Sequence, residues 1–323
     1  MKMNIVFFGT PDFAVESLKR LVEAGYNIVS VVTSPDKPGG RNHHMLQSDV
    51  KRYALEQGLP LLQPTNLKDP AFVEQLRALD AQLFIVIAFR MLPEVVWTMP
   101  PLGTFNLHAS LLPKYRGAAP INWAVMNGDT RTGVTTFFLK HEIDTGDIIQ
   151  QKEIAIGRHD NVEVIHDRLM MLGADMVLDT VAAIQAGTVH PIAQDQLLTA
   201  GQEPTPAPKI FKDTCRIHWQ WPAERVYNHI RGLSPYPAAW TEICGVDGEP
   251  RQLKIFETAE PVPAQGLTPG SVRVDGKRMH IACADGWIEI LSLQLAGKRR
   301  ITTDEFLRGF TPTDIREQIT DNR

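Results

Sequence analysis

The sequence predicts an α/β fold, a doubly wound and mostly parallel sheet, followed by a small all-β domain. Three observations carry this. Residues 4–8 and 27–33 are short apolar runs separated by a helical repeat (Phe13, Ala14, Leu18, Leu21, Val22) that stops at Gly25, and a β-α-β opening builds a parallel sheet. Residues 83–88 are apolar without interruption, as expected of a central parallel strand buried on both faces. After residue 238, five short runs (239–244, 252–258, 270–274, 279–284 and 287–293) are separated by turn signals such as Asp247-Gly248, Asp275-Gly276 and Asp285-Gly286. That spacing suits a small Greek-key barrel, and an OB-like fold is the natural candidate.

At 323 residues the chain exceeds one typical core, so two domains are expected. The boundary is read in residues 188–208, a polar stretch holding Pro191, Pro204, Pro206 and Pro208 with Gln194, Gln196 and Gln202. Such composition suits a linker. The expected division is 1–187, a linker over 188–208, and 209–323. Up to Ala207 there are 17 basic and 22 acidic residues (−5), and after it 16 and 15 (+1). Neither part announces nucleic acid by charge alone. No run approaches the roughly 20 apolar residues of a membrane helix. The first nine residues have too short an apolar run for a signal peptide and no small-residue cleavage site. A cytoplasmic protein without membrane contact is expected. Cys215, Cys244 and Cys283 have no paired spacing, which predicts buried thiols rather than disulfides or a zinc site, and no metal.

Between these landmarks the chain reads plainly. Gly9 is the only glycine of the first βα turn, and G-x-G-x-x-G is absent, which argues against a dinucleotide pyrophosphate cradle. Residues 34–49 form a long polar loop with Gly39-Gly40 and the basic Lys37, Arg41, His43 and His44; loops of that length are often functional. Helices are expected at 50–57 and 71–79, strands at 133–139 and 148–156, and a long helix at 161–186. Its stripe is Val164, Ile165, Leu169, Leu172, Met176, Val177, Val181 and Ile184, and Gly187 stops it. A helix at 223–231 precedes the last strands. No repeat recurs at solenoid periods.

The centre of the chemistry is residues 105–120. Asn106, His108 and Ser110 alternate with Phe105, Leu107 and Ala109, so the polar side chains share one face of an extended segment. Leu111-Leu112-Pro113 ends it. An amide and an imidazole two residues apart can donate to one oxygen, which suits a developing oxyanion. The missing carboxylate is available in the acidic turn 141–147, as Glu142, Asp144 or Asp147. An ordinary strand end with three solvated polar residues fits the same alternation. Ligands of such sheets bind beyond the carboxyl ends of the strands, which sets residues 88–92 beside this face.

These motifs resemble a known family. Asn106-x-His108-x-Ser110-Leu111-Leu112-Pro113, Arg116-Gly117-Ala118-x-Pro120 and Asp144-Thr145-Gly146 are similar to the folate-dependent formyltransferases. So are residues 8–14 at the first turn, 34–41 in the loop, Ile217-His218-Trp219, 230–240 and 295–298, so the likeness covers nearly the whole chain in order. The resemblance implies the formyltransferase fold, a Rossmann-like sheet with an OB-like barrel. It implies 10-formyltetrahydrofolate as formyl donor, no metal, and a monomer. In the branch that carries the basic loop and the barrel, it implies the free amine of methionine on the initiator tRNA as acceptor. It assigns catalysis to Asn106, His108 and Asp144. Folate contacts are expected at Ser110, Leu111, Leu112 and Pro113, and at Ala88, Phe89 and Arg90. Phosphate contacts to the tRNA are expected at Arg41, Lys209, Lys212, Lys298, Arg299 and Arg300. Arg116 is expected to contact the donor or hold the turn.

Two departures matter. Phe89-Arg90 stands where the family has Tyr-Gly, which sets an arginine at the pterin pocket. Asn42-His43-His44 stands where lysines are usual, which predicts a weaker or more pH-dependent grip on the acceptor end. Two further readings stay open. An enzyme formylating an amino sugar on a nucleotide would share Asn106, His108 and Asp144. A module that only binds RNA leaves those residues without a purpose.

Overall fold

A computed structural model describes residues 3–39, 45–198 and 203–315. Its contacts divide the chain into two units. The first comprises Met1–Pro120, Thr132–Ile154 and His166–Ala207, the second Ile121–Arg131, Ala155–Ile165 and Pro208–Arg323. A single cut within 188–208 is thus only part of the division. Two short segments from earlier in the chain pack with the C-terminal residues: Asn122 Nδ2 donates to Gly232 O (2.8 Å), Trp123 Nε1 to Pro208 O (2.8 Å), and Arg158 pairs with Glu224.

The first unit is built on a seven-stranded sheet. Its order is Ile148–Ala155, Arg131–Phe138, Thr104–His108, Leu83–Ile87, Asn4–Gly9, Asn27–Val32, Leu61–Leu62. The last five of these are parallel, and Arg131–Phe138 runs antiparallel to Thr104–His108. This is the Rossmann-like, mostly parallel sheet that the sequence predicts. Every residue of Leu83–Ile87 is buried, as its unbroken apolar run requires. Phe7, Phe8, Phe84 and Phe105 are fully buried, each contributing about 1.5–3 kcal/mol. Helix Asp12–Glu23 buries Phe13, Ala14, Leu18 and Leu21. It closes tightly on the first strand at Gly9, where a Cβ would lie 2.8 Å from that of Ala14.

Helix Val162–Ala186 is long and apolar enough, by length and composition, to cross a membrane. Its Leu169, Ala174, Met176, Val177 and Val181 are wholly buried within the fold, so it is a core helix. Gly173 on it meets Leu107, with room for no Cβ (2.7 Å to Leu107 Cδ2). The helix thereby backs the strand that carries Asn106 and His108. The loop at 34–49 is less irregular than its sequence implies, because Lys37–Pro38 and Met45–Leu46 pair as a short antiparallel ribbon. Asp36 at its base accepts from Lys51 Nζ (2.7 Å) and Gln63 Nε2 (2.9 Å), and those bonds hold its carboxyl below the usual range. Residues 40–44, with Arg41, Asn42, His43 and His44, lie outside the described residues.

The second unit carries an eight-stranded sheet that runs antiparallel throughout. Its main path is Val272–Asp275, Arg278–Ala282, Gly286–Leu295, Pro250–Thr258, Ala239–Gly245, Pro312–Ile315. Val262–Pro263 and Ile301–Thr302 pair with Gly286–Leu295. The two ends of the path approach at Gly270, whose added Cβ would lie 3.7 Å from Ile315 Cβ, so the barrel is nearly closed. The five expected strands are present. Three short ones, and helix Thr303–Leu307 with its Thr302–Glu305 capping box, add to them. Trp219, Ile230, Leu253, Ile255, Met279 and Ile288 fill the core. Helix Ala223–Leu233 turns Val226, Tyr227 and Ile230 into it. The three cysteines are free and buried, and burial pushes the Cys283 thiol up to about 12. His229, packed edge-on against Trp221 with centroids 5.4 Å apart, is lowered by burial to about 4.

Candidate active site

The order of strands reverses between Asn4–Gly9 and Leu83–Ile87, and crevices of such sheets open beyond the carboxyl ends at this point. Thr104–His108 lies next to Leu83–Ile87, with Asn106 opposite Val86. The chain leaves Leu83–Ile87 through Ala88, exposed and in the left-handed region (φ 47°). Strand geometry alone puts Asn106 and His108 on one face. Among the described residues the half-buried Asn106 amide has no hydrogen-bond partner, so its donors are available.

His108 is 7% exposed. Its Nε2 lies 2.8 Å from Tyr115 O, and since a carbonyl only accepts, Nε2 carries the proton of that bond. Its Nδ1 points to Asp144, 3.9 Å from Oδ2. That distance is too long for a hydrogen bond. The ring is therefore oriented by the Tyr115 carbonyl, not by the carboxylate. Tyr115 can present its carbonyl because residues 115–117 turn sharply, with Tyr115 at φ 62° and Gly117 at φ 127°.

Asp144 sits in the turn between Arg131–Phe138 and Ile148–Ala155, itself left-handed at φ 56°. Its Oδ2 accepts from Gly117 N (2.9 Å). Gly146 passes so close to Phe138 that a Cβ would lie 1.6 Å from Phe138 O, so glycine is obligatory there. Gln194 Nε2 donates to Asp144 O (2.7 Å) and Gly146 O (2.9 Å), and its Oε1 accepts from Arg116 Nε (3.0 Å) and Nη2 (2.8 Å). Arg116 thus holds the turn. Part of the expected linker is a wall of the site: Pro206–Ala207 pairs with Arg116–Gly117. Gln194 is invisible in the sequence, one of several glutamines in a proline-rich stretch. Of the other acids in the turn, Asp147 pairs with Lys140 (2.7 Å).

The expected folate contacts divide by role. Ser110 is fully buried and its hydroxyl donates to Lys114 O (2.6 Å). Leu112 is 1% exposed and packs with Phe137 and Ile148. A second polar node, also missed in the sequence, fixes this segment. Thr135 Oγ1 donates to Ser110 O (2.6 Å) and accepts from Leu112 N (3.2 Å) and Gln151 Nε2 (2.9 Å), while Gln151 Nε2 also reaches Leu112 O (2.7 Å). Leu111 remains half-buried, and Leu112–Pro113 is cis. Phe89 packs edge-on to Phe8 at 5.7 Å. Arg90 folds back over it, with Cζ 5.3 Å from the ring and Nη1 and Nη2 donating to Thr65 O (3.0 Å) and Pro64 O (2.7 Å). Its Nε is buried and without a partner among the described residues.

The expected tRNA contacts, Arg41 apart, belong to the second unit. Lys209 and Lys212 are exposed beside Phe211 and Trp240, their Nζ atoms 5.7 and 5.4 Å from the ring centroids. Lys298 is exposed, and Arg299 pairs with Glu305 (3.5 Å). Arg300 donates to Ser292 Oγ (2.7 Å) with its Cζ 4.5 Å from the Phe256 ring.

The profile of the family described as Formyl transferase matches residues 2–181, and that described as Formyl transferase, C-terminal domain, matches residues 209–311. A methionyl-tRNA formyltransferase of Bacteroides thetaiotaomicron is 62% identical over 313 residues, covering 97% of each chain. One from Bacteroides fragilis is 60% identical, covering 97% of this chain and 96% of its own. Among solved structures, the N-formyltransferase from Helicobacter canadensis with folinic acid and dTDP-3-aminofucose superposes with a TM-score of 0.65 at 17% identity, covering 93% of this chain and all of that one. At that identity the likeness is one of fold.

Proposed function

This chain belongs to the formyl transferase family, and from that premise we propose that it transfers a formyl group from 10-formyltetrahydrofolate to the free amino group of methionine on initiator methionyl-tRNA, in the cytoplasm, for translation initiation. The observation that carries the reading is the approach of His108 and Asp144 at the carboxyl end of Thr104–His108, with a ring nitrogen 3.9 Å from the carboxylate and the unpartnered Asn106 amide on the same face of that strand. The residues fit a folate donor. The unpartnered Nε of Arg90 and the free amide of Asn106 are donors, matching the pterin carbonyl and the formyl oxygen, and Ala88, Leu111 and Phe89 give apolar walls.

The donor supplies an electrophilic formyl carbon. As the methionine amine bonds to it, charge develops on the formyl oxygen, and Asn106 Nδ2 and His108 Nδ1 donate to that oxygen. Because Nε2–H is held by Tyr115 O, donation from Nδ1 needs a second proton on the ring. Asp144 Oδ2 lies 3.9 Å from that nitrogen. Asp144 also stands to take a proton from the attacking amine and return it to the departing nitrogen. Ser110 and Leu112 act by rigidity, holding the segment after the strand.

The acceptor end of the tRNA is single-stranded, and such ends are bound by phosphate contacts with bases stacked on aromatic rings. Lys209, Lys212, Lys298, Arg299 and Arg300 supply that chemistry, Lys209 beside the exposed Phe211 and Arg300 beside the half-buried Phe256, with Arg41 as a further contact. The test is to incubate the purified chain with 10-formyltetrahydrofolate and either methionyl-tRNA or an amino-sugar nucleotide. Formylmethionine released from the tRNA, with no formylated sugar, is the expected result; formyl on the sugar alone overturns the reading.

A further inference from the structure

Gln194 is 2% exposed, an uncommon fate for a glutamine, and every hydrogen-bonding valence of its amide is used. Two N–H groups meet two carbonyls, of Asp144 and Gly146, and one oxygen meets two N–H groups of Arg116. We propose that Gln194 is a positioning residue for formyl transfer, holding Asp144 toward His108 through the backbone of the turn on one side and through Arg116 on the other. This role rests on the formyl-transfer reading above.

The turn needs an external hold. Asp144 is left-handed, a conformation uncommon for residues with a side chain, and a bond from the Gln194 side-chain amide is what secures its carbonyl. Its carboxylate takes Gly117 N, and Gly117 follows Arg116, the residue clamped by the other end of Gln194. Carbonyl and carboxylate are thus fixed by one buried amide. The chain delivers Gln194 with little freedom: Ile192 and Ile148 exchange backbone bonds (2.8 and 2.9 Å), and beyond it Ala207 O accepts from Ala118 N and Ala119 N (2.8 and 3.2 Å). The chemistry requires glutamine. Glutamate offers no donor to the two carbonyls, and leucine offers neither donor nor acceptor.

The test uses the full chain. Gln194→Leu keeps the volume and removes all four bonds; Gln194→Glu keeps only the acceptor. In both, amide exchange at Gly117 is expected to quicken by about tenfold or more as its bond to Asp144 loosens. Turnover is expected to fall about ten- to a hundredfold, with the KM for the formyl donor within about threefold. In an Asp144→Asn background Gln194→Leu is expected to change kcat by less than about twofold, since the group it positions is gone. Unchanged Gly117 exchange, or equal fold losses in both backgrounds, overturns the proposal. Should Gln194→Leu fail to fold, Arg116→Ala decides by the same two readings, with an expected loss of about three- to tenfold. The exchange reading does not depend on the acceptor. A wild-type chain that formylates no methionyl-tRNA therefore counts against the proposed function and not against Gln194.

Discussion

His108 and Asp144 face each other across 3.9 Å, yet the chain holds them by different means. His108 rides on a parallel strand whose neighbours, Leu83–Ile87 and Arg131–Phe138, fix it by regular pairing, and Gly173 lets a core helix press against its back. Asp144 rides on a turn with a left-handed residue and an obligatory glycine. Its carboxylate and its carbonyl are held by Gly117 and Gln194, 27 and 50 residues away in sequence. The strand side is held redundantly by many backbone bonds. The turn side depends on a few side-chain bonds that each lack a substitute. Sites that join two such parts have one robust half and one brittle half, and substitutions separate them.

The largest effect is expected from the turn's own chemistry. Asp144→Asn keeps the shape and an acceptor for Gly117 but removes the charge, and should lower kcat by about two to three orders of magnitude while folate binding, measured by fluorescence titration, is kept. Next comes the turn's geometry. Gly146→Ala forces a Cβ onto Phe138 O, so the melting curve should report a loss of about 2–4 kcal/mol and turnover should fall by about tenfold or more. The strand side should give less. Thr135→Val strands the partners of one buried hydroxyl, for about 1–3 kcal/mol of stability, and kcat should stay within about threefold. A fall as deep as that of Gly146→Ala would erase the contrast.

The smallest effect on turnover, none at neutral pH, is expected at His229 in the second unit. Burial lowers its folded value from 6.5 to about 4. Above 6.5 both folded and unfolded forms are neutral. As pH falls from 6.5 toward 4, the unfolded chain binds a proton that the folded one refuses, and stability declines by on the order of 3 kcal/mol. His229→Leu should flatten that part of a denaturation-versus-pH curve, and an unchanged slope would assign the decline to other groups.

What the sequence disclosed follows the same division. Leu83–Ile87 and the Asn106–His108 pair were legible because a buried strand and a period of two are local patterns. The five longer barrel strands were legible from their turn signals. The two-residue strands at 262–263 and 301–302 were not, being too short to carry a period. Tyr115 O, Gly117 N, Thr135, Gln151 and Gln194 were also hidden. Each acts through a bond made possible by the fold, and nothing about a glutamine in a proline-rich stretch announces a buried clamp. Arg90 was legible as a departure, but not its destination, since the carbonyls of Pro64 and Thr65 that hold it lie on another segment.

The central claim, that the strand presents His108 to the formyl oxygen, is tested most directly by single-turnover transfer from 10-formyltetrahydrofolate to methionyl-tRNA with His108→Ala at saturating donor. The account predicts a rate lower by about two to three orders of magnitude with donor affinity unchanged. A rate within about fivefold of the wild type would contradict it, because an oxyanion donor cannot be removed at so small a cost.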